Sequence, residues 1–535
     1  MKLSVLEKEL KKQAAEIFGL SAEQTEGFVL SVPPSHISAH ISIAWPISSA
    51  KILRRPPAKI AAELAEKLRG PFTAEAIPPG FVNLRLDDGF LLGEAVKLME
   101  KEYFSEEENR RAGKINLEFV SANPTGPMHL ASGRGATLGD SLARIMRASG
   151  YKVETEFYVN DAGHQVAMLG ESLKARYNKQ EPPENGYHGD YLVDMAAELP
   201  PEASGWEVKR FSDYAVNKML ARHKADMEAF GVRFSRWFLE TDLHKAKAPE
   251  KALAELEKRG AAYKKDGAVW FGSSSELKSD DKDRVLVKQD GSNTYFLNDI
   301  AYHLNKFSRG FSTLIDIWGA DHHGYVPRLE AALKVLAGEN ETFRVIIHQQ
   351  VALKRGEAVI KMSKRSGEFI SLKDLTEEVG TDACRFFFAS RGPNTHLNFD
   401  VDLAKRRSND NPVFYVQYVH ARICSIFAKA AECGMTADNF DAGGAELNDE
   451  ERLLLVKLLW FEKVLKDCLR DFSPHHITTY LTELAALFHS FYDKYKVVDE
   501  DNRKVSEQRL YILKAVGSLL SSALSLLGVS APDRM

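Results

Sequence analysis

Between residues 115 and 351 short apolar runs that read as strands alternate with amphipathic stretches that read as helices, and after about residue 408 the strand signals stop. That switch constrains the fold more than any other feature. Residues 115–120 (INLEFV) read as a strand. Residues 136–149 read as a helix with Leu138, Leu142, Ile145 and Met146 on one face and Gly150 as its stop, and 152–159 as an alternating strand. Residues 311–318 and 343–351 are apolar runs of the kind buried on both faces of a sheet. Such alternation implies βαβ units and a parallel sheet. Helices are predicted over 411–431, 449–472, 473–495 and 502–527, the third opening on Ser473 as N-cap and Pro474 at N1. Residues 1–105 form a first unit, ending in a strand at 80–86 and a helix through 91–99. The polar stretch 105–114 reads as a linker.

A chain of 535 residues has room for several cores. Its 44% hydrophobic and 27% charged residues suit a soluble globular protein. The opening MKLSVLEKELKKQ lacks the apolar centre of a signal peptide, and no run is expected to span a bilayer. Four cysteines (Cys384, Cys424, Cys433, Cys468) show no metal-ligand spacing, so no metal site is expected and reduced, cytoplasmic thiols are. With a net charge of −4, a nucleic-acid partner must be met by local patches. Residues 51–70 carry six basic and two acidic side chains, alone a solvated helix face.

Two stretches carry chemistry. The first, EFVSANPTGPMHLASGRGATLGD (118–140), runs from strand through loop into helix. Glycines and a proline before the helix permit close backbone approach, and the free N–H groups at its start attract phosphate. His129 there could stabilise charge building on a triphosphate. No Gly-Lys-Ser/Thr follows, so this is neither a Walker loop nor a dinucleotide fingerprint. The second, KRGEAVIKMSKRSGEFISLKDL (354–375), places a hairpin turn at Arg355-Gly356 and then Lys361, Lys364 and Arg365 within five residues, with Gly367 beyond. A cationic loop of this kind suits a pyrophosphate leaving group.

A histidine motif after the first strand, followed some two hundred residues later by KMSK, resembles the signature pair of class I aminoacyl-tRNA synthetases. SANPTGP, GRGATLGD, YVNDAGHQ, YFLNDIAYHLNKF, WGADHHGYVPR, SNDNPVFYVQYVHARICSI and the terminal APDRM narrow the resemblance to the bacterial arginyl-tRNA synthetases. It covers nearly the whole chain and is weakest over residues 1–75.

The resemblance implies a Rossmann-like α/β core between an N-terminal α+β tRNA-contacting domain and a C-terminal all-α anticodon-binding bundle. The divisions expected are 1–105, 106–350, 351–407 (the KMSK loop and its connections) and 408–535. It implies ATP, with Mg²⁺ on its phosphates, L-arginine and tRNA(Arg) as partners, and a monomer. By resemblance, His129, Lys361 and Lys364 are the catalytic cations. Pro127, Ala131, Ser132, Gly319, Asp321, Met362 and Ser363 join His129 and Lys364 around ATP. Glu118, Ser121, Asn123, Tyr295, Asp299 and His322 form the arginine pocket, with Glu118 and Asp299 on the guanidinium and Tyr295 as an aromatic wall. Two carboxylates suit a group that stays protonated. Tyr415, Gln417, Tyr418, Arg422 and Met535, with His420 nearby, face tRNA, and the 51–70 patch becomes a phosphate contact. Pro46 stands where a continuous helix would be expected in 40–51.

The class pattern His-x-Gly-His is matched by His129, Leu130, Ala131 and Ser132. Ala131 would intrude where adenine meets backbone, and Ser132 offers a neutral hydroxyl in place of an imidazole. Losing a hydrogen bond to a charged group costs about 1.5–3 kcal/mol, hence about one to two powers of ten in rate. Three readings stand at this point: a working ligase, a weakened or inactive tRNA-binding derivative, and another α/β nucleotidyl transferase. The retained lysines and pocket acids favour the first.

Overall fold

The computed structural model describes residues 2–34, 36–98, 103–272, 282–356, 358–360, 370–441 and 445–535. The N-terminal unit is a four-stranded antiparallel sheet of order β1-β2-β4-β3, formed by β1 (Leu30–Ser31), β2 (Ile41–Ile43), β3 (Phe72–Ile77) and β4 (Phe81–Leu86). Helices Leu3–Phe18, Trp45–Leu53 and Pro57–Lys67 accompany it. Pro46 breaks nothing. It lies in the first turn of Trp45–Leu53, where its missing N–H has no intrahelical acceptor to lose. The expected linker contains a short helix, Glu107–Arg111.

The core is a five-stranded parallel sheet of order β12-β11-β5-β6-β7, made by β5 (Lys114–Glu118), β6 (Val153–Val159), β7 (Arg236–Leu239), β11 (Phe311–Gly319) and β12 (Thr342–His348). A small antiparallel sheet, β8 (Ala262–Lys265), β9 (Ala268–Phe271) and β10 (Arg284–Val287), is inserted between β7 and β11. Beyond β12, β13 (Val351–Arg355) pairs antiparallel with β14 (Ala358–Ile360) and parallel with β15 (Leu397–Asp400).

Successive residues of the core strands face opposite sides. Leu117, Ile315 and Ile317 join the large hydrophobic cluster shared with helix Leu130–Ala148, whereas Leu314 joins a second cluster with helix Tyr295–Ser308. Helix Leu130–Ala148 starts six residues before the predicted 136. Gly133 and Gly135, which fell before the predicted start, are helix interior, and glycines along this helix serve close approach. A Cβ on Gly133 would sit 2.6 Å from Leu372 Cδ1, and one on Gly139 would sit 2.2 Å from the Phe119 ring.

The C-terminal bundle contains Pro412–Glu432, Asp449–Leu459, Phe461–Asp471, His475–Lys494 and Arg503–Leu526. The single helix predicted over 449–472 is two, divided at Trp460. Helix His475–Lys494 takes Pro474 as its N-cap, one residue later than expected. Ser473 Oγ pairs with His475 Nδ1 (2.6 Å) instead of capping. Contrary to the sequence reading, one segment, Glu500–Leu526, is long and apolar enough to cross a membrane, with mean hydropathy 1.2; 56% of that window is buried. Its Leu510, Leu513, Val516, Leu520 and Leu524 lie in the bundle core. The bundle also meets the N-terminal unit, where Arg452 donates from Nε and Nη2 to the two Asp88 oxygens (2.8 and 2.9 Å).

Candidate active site

In open parallel sheets ligands collect at the carboxyl ends of the strands, and the predicted site residues converge there. Immediately after β5 the backbone turns through two left-handed residues, Val120 (φ 70°) and Ser121 (φ 39°). A β-branched valine in that region is strained by about 1–3 kcal/mol, and such strain persists where the surroundings over-determine it. Here Ser121 Oγ donates to Glu118 Oε1 (2.7 Å) and accepts from the Tyr158 N–H (3.1 Å), holding the turn against the end of β6. Asn123 is exposed and donates to Gln165 Oε1 (2.7 Å). Tyr191 OH donates to the Thr125 carbonyl (2.6 Å) and His223 Nε2 to the Gly126 carbonyl (2.8 Å), fixing the loop that delivers Pro127, itself half-buried, and His129.

His129 is the N-cap residue of helix Leu130–Ala148, so the helix N-terminus opens at the histidine itself. Ala131 is half-buried and Ser132 buried. Arg134, which the sequence left unassigned, is buried and donates to the carbonyls of Gln349, Gly392 and Thr395 (2.8, 3.0 and 2.7 Å), locking the helix to the β12–β13 connection. Farther along, Asp140 accepts from Arg144 and the buried Arg385. Arg385 Nε donates to the Leu527 carbonyl (2.8 Å), tying the helix to the end of the bundle.

His348, also unanticipated, ends β12 as a buried side chain facing Gly135. Burial lowers its pKa to about 4, with His129 and Arg134 pushing the same way and Asp321 opposing. It is therefore a neutral imidazole between the motif helix and the end of the sheet. Gly319 ends β11, and Asp321 and His322 follow it in an exposed 3₁₀ turn, 3.5 Å apart.

Lys361, Met362, Ser363, Lys364, Arg365 and Gly367 lie outside the described residues. Their flanks do not. The hairpin β13–β14 precedes them, with Gly356 at φ 57°, and Ser371 after them bridges to His129 while the Leu372 N–H donates to the Met128 carbonyl (2.9 Å).

Across the cleft from His129's loop stands helix Tyr295–Ser308, N-capped by Thr294. Asp299 accepts from Tyr325 OH (2.5 Å), and burial raises its carboxyl to about 6 against that hydrogen bond. Tyr295 is 67% exposed, so the aromatic ring in contact with Asp299 is Tyr325 rather than the expected Tyr295. A third carboxylate, Glu240 after β7, was missed. It is buried, accepts from Asn298 Nδ2 (3.2 Å), and its pKa is raised, first by burial. Glu118, Asp299 and Glu240 all bear electrostatically on the buried Tyr158 hydroxyl, which is held protonated by burial and by these three acids. Tyr158, Tyr302 and Phe238 pack at a tilt into a wall beside them (4.6 Å and 4.9 Å between successive centroids). A dry recess with three acids and aromatic walls fits a guanidinium.

In the bundle, Phe414, Tyr418 and Arg422 lie at i, i+4 spacing, with Arg422 over the rings of Tyr418 and Tyr492 (5.1 and 5.4 Å). Tyr415 packs on His489 (4.6 Å), and Met535 is exposed. Gln417 departs from expectation. It is buried and donates to Asp382 Oδ2 (2.8 Å) and the Ser530 carbonyl (2.9 Å), holding the tail rather than facing out. In the 51–70 patch Arg55 and Lys67 both pair with Glu63.

The expectation of no metal-ligand spacing at the cysteines needs one correction. His420, Cys424 and Asp533 bring ligand atoms within 4.8 Å of one another, although Asp533 is 109 residues from Cys424. His420 Nδ1 donates to the Pro532 carbonyl (3.1 Å), so the group fastens the tail.

Family models match three parts of the chain: an arginyl tRNA synthetase N terminal domain over residues 4–86, the class I (R) tRNA synthetase catalytic domain over 95–188 and 207–391, and a DALR anticodon binding domain over 416–535. The arginine–tRNA ligase of Elusimicrobium minutum is 53% identical over 523 residues, covering 96% of this chain and 97% of its own. That of Thermotoga maritima is 41% identical over 546 residues, covering 98% and 99%. The Thermus thermophilus arginyl-tRNA synthetase structure shares the fold, with a TM-score of 0.79 at 24% identity over 99% of this chain and all of that one. With a site of this chemistry and matches along nearly its whole length, the chain belongs to the bacterial-type arginyl-tRNA synthetases of class I.

Proposed function

We propose that this protein is an arginine–tRNA ligase, with the four divisions 1–105, 106–350, 351–407 and 408–535 serving tRNA contact, catalysis, the KMSK loop and the anticodon. The arginine carboxylate attacks the α-phosphate of ATP, forming arginyl-adenylate and releasing pyrophosphate. A hydroxyl of the terminal ribose of tRNA(Arg) then attacks the arginyl carbonyl, and AMP leaves.

One observation carries this reading: the convergence of Asp299, Glu240 and Glu118 at the strand ends, opposite a helix that begins at His129. Glu118, Asp299 and Glu240 take the guanidinium, and Ser121 and Asn123 line the amino-acid end. Tyr295 and His322 close the outer rim. On the nucleotide side, His129 and the helix N-terminus favour the growing negative charge, while Pro127, Ala131, Ser132, Gly319 and Asp321 border the nucleoside. Lys361 and Lys364, with Met362 and Ser363 between them, complete the charge on the pyrophosphate. Ser132 stands in place of the class motif's second histidine. Mg²⁺ carried with ATP would offset the charge of its phosphates. Catalysis by the protein is positioning and electrostatics, with no protein nucleophile.

Tyr415, Tyr418, Arg422 and Met535 offer stacking faces and a cation to unpaired bases. The protein acts as a cytoplasmic monomer. The test is charging of tRNA(Arg) with radiolabelled arginine, ATP and Mg²⁺. Arginyl-tRNA is the expected product; tRNA bound but never charged would leave a tRNA-binding protein instead.

A further inference from the structure

Beneath the arginine recess lies a second set of charges that the reaction itself does not use. Glu156, Glu118 and Asp316 stand side by side on β6, β5 and β11, in direct register across three neighbouring strands. All three are buried. Three like charges so close would be intolerable in a dry core without compensation. One helix supplies it: His303, Lys306 and Arg309, spaced three apart on Tyr295–Ser308 and its C-cap, face the three acids in turn. Lys306, fully buried, donates from Nζ to Glu118 Oε2 (2.6 Å) and Asp316 Oδ1 (2.9 Å), with the Tyr302 ring 4.5 Å away. His303 Nε2 lies 2.8 Å from Asp316 Oδ2 and its Nδ1 2.7 Å from the Asp299 carbonyl oxygen. Arg309 grips Glu156 with both Nη atoms (2.6 and 2.8 Å).

The same helix carries Asp299 on its first turns, and the same strand end carries Glu118. We propose that Lys306 is a positioning residue for the arginine site: by clamping Glu118 and Asp316 together it sets the strand end carrying Glu118 against the helix carrying Asp299, and holds Glu118 as a carboxylate. This rests on the arginine reading of the recess. One Glu118 oxygen is thereby fixed by Lys306 and the other by Ser121, so its orientation is settled before any substrate arrives. Burial raises the Glu118 pKa, with Asp316 adding to the rise, while Lys306 and His303 work against it. The Tyr158 hydroxyl and the Tyr302 hydroxyl, which donates to Glu156 Oε1 (2.7 Å), also act electrostatically on this acid. Without Lys306, proton uptake by Glu118 is the cheapest way to remove an unpaired buried charge.

The experiment is steady-state arginylation by Lys306→Met at saturating tRNA, varying arginine and ATP separately across pH. Two unpaired acids threaten folding of that variant, so Lys306→Met/Asp316→Asn, which keeps the local net charge, runs beside it. The expected result is an arginine KM raised about tenfold to a hundredfold, with kcat and the ATP KM within about threefold of wild type. That arginine KM falls again as pH rises from about 7 to about 9 and Glu118 ionises, a range in which the wild type, with Asp299 already ionised, stays flat. An unmoved arginine KM in a charging enzyme overturns the inference alone. So does a parallel rise in both KM values without pH dependence, the signature of general loosening. A wild type that charges no tRNA overturns the arginine reading and this inference with it.

Discussion

The two halves of the cleft are built on different principles. The half proposed to take arginine is a recess whose acids are already held by partners within the protein: Tyr325 on Asp299, Asn298 on Glu240, Ser121 and Lys306 on Glu118. The nucleotide half is a helix N-terminus at His129, flanked by exposed Asp321 and joined at Ser371 to the segment bearing the KMSK residues. Recognition of a fixed cation rewards rigid, desolvated carboxylates, whereas a triphosphate that loses pyrophosphate needs groups that follow the charge as it moves. Substitutions should therefore separate cleanly by substrate.

Asp299→Asn should do most. Removing one partner of a buried ion pair costs about 3–5 kcal/mol, so the arginine KM should rise by about two to three powers of ten while the ATP KM holds. Arginylation kinetics with each substrate varied check it, and equal shifts in both would erase the distinction between the halves. Glu240→Gln should raise the arginine KM by about one to two powers of ten, because the amide keeps an acceptor and the size but loses the charge. Ala131→Gly with Ser132→His should act on the other half, raising the activation rate about tenfold or more at an unchanged arginine KM. A rate that stays or falls would mean that other groups already do the work, and the buried neutral imidazole of His348 is then the first to examine.

Acidity gives a milder probe. The Asp299 carboxyl titrates at about 6 in the free protein, above its ordinary value, because burial disfavours the ion. As pH falls through that range the group takes up a proton and loses its hold on a guanidinium, so the arginine KM should climb below about pH 6 while the ATP KM moves less. A flat arginine KM from pH 7 to 5 would remove Asp299 from the recess. The smallest effect should come from Tyr418→Ala, outside the cleft in the bundle. It should raise the tRNA KM by about tenfold, the worth of one base stack, and leave both small substrates alone.

Much of this was legible in the sequence, because periodicity reports burial. The parallel core and the helical C-terminal third follow from runs of apolar side chains, whereas the residues around His129 and Asp299 came only with the resemblance that the ordered motifs carry. What escaped depended on contacts between distant segments. Gly133 looked like loop because its packing against Leu372 is invisible along the chain. Glu240 sits in no motif, and only the fold sets it beside Asn298 and Tyr158. Gln417 shares a helix with Tyr418 and Arg422 but lies one position round it, on the face that meets Asp382 and Ser530. The acids Glu156, Glu118 and Asp316 interrupt apolar strands singly, and a single charge in an apolar run does not announce that two others lie beside it.

The central claim is that the arginine half selects its substrate by charge, through carboxylates already in place. Citrulline has nearly the shape of arginine and a neutral urea instead of the guanidinium. Its competition against labelled arginine in the tRNA-charging reaction measures that selection directly. The account predicts an inhibition constant at least about a thousandfold above the arginine KM, the worth of an unpaired buried charge. Competition at a concentration close to the arginine KM would contradict it.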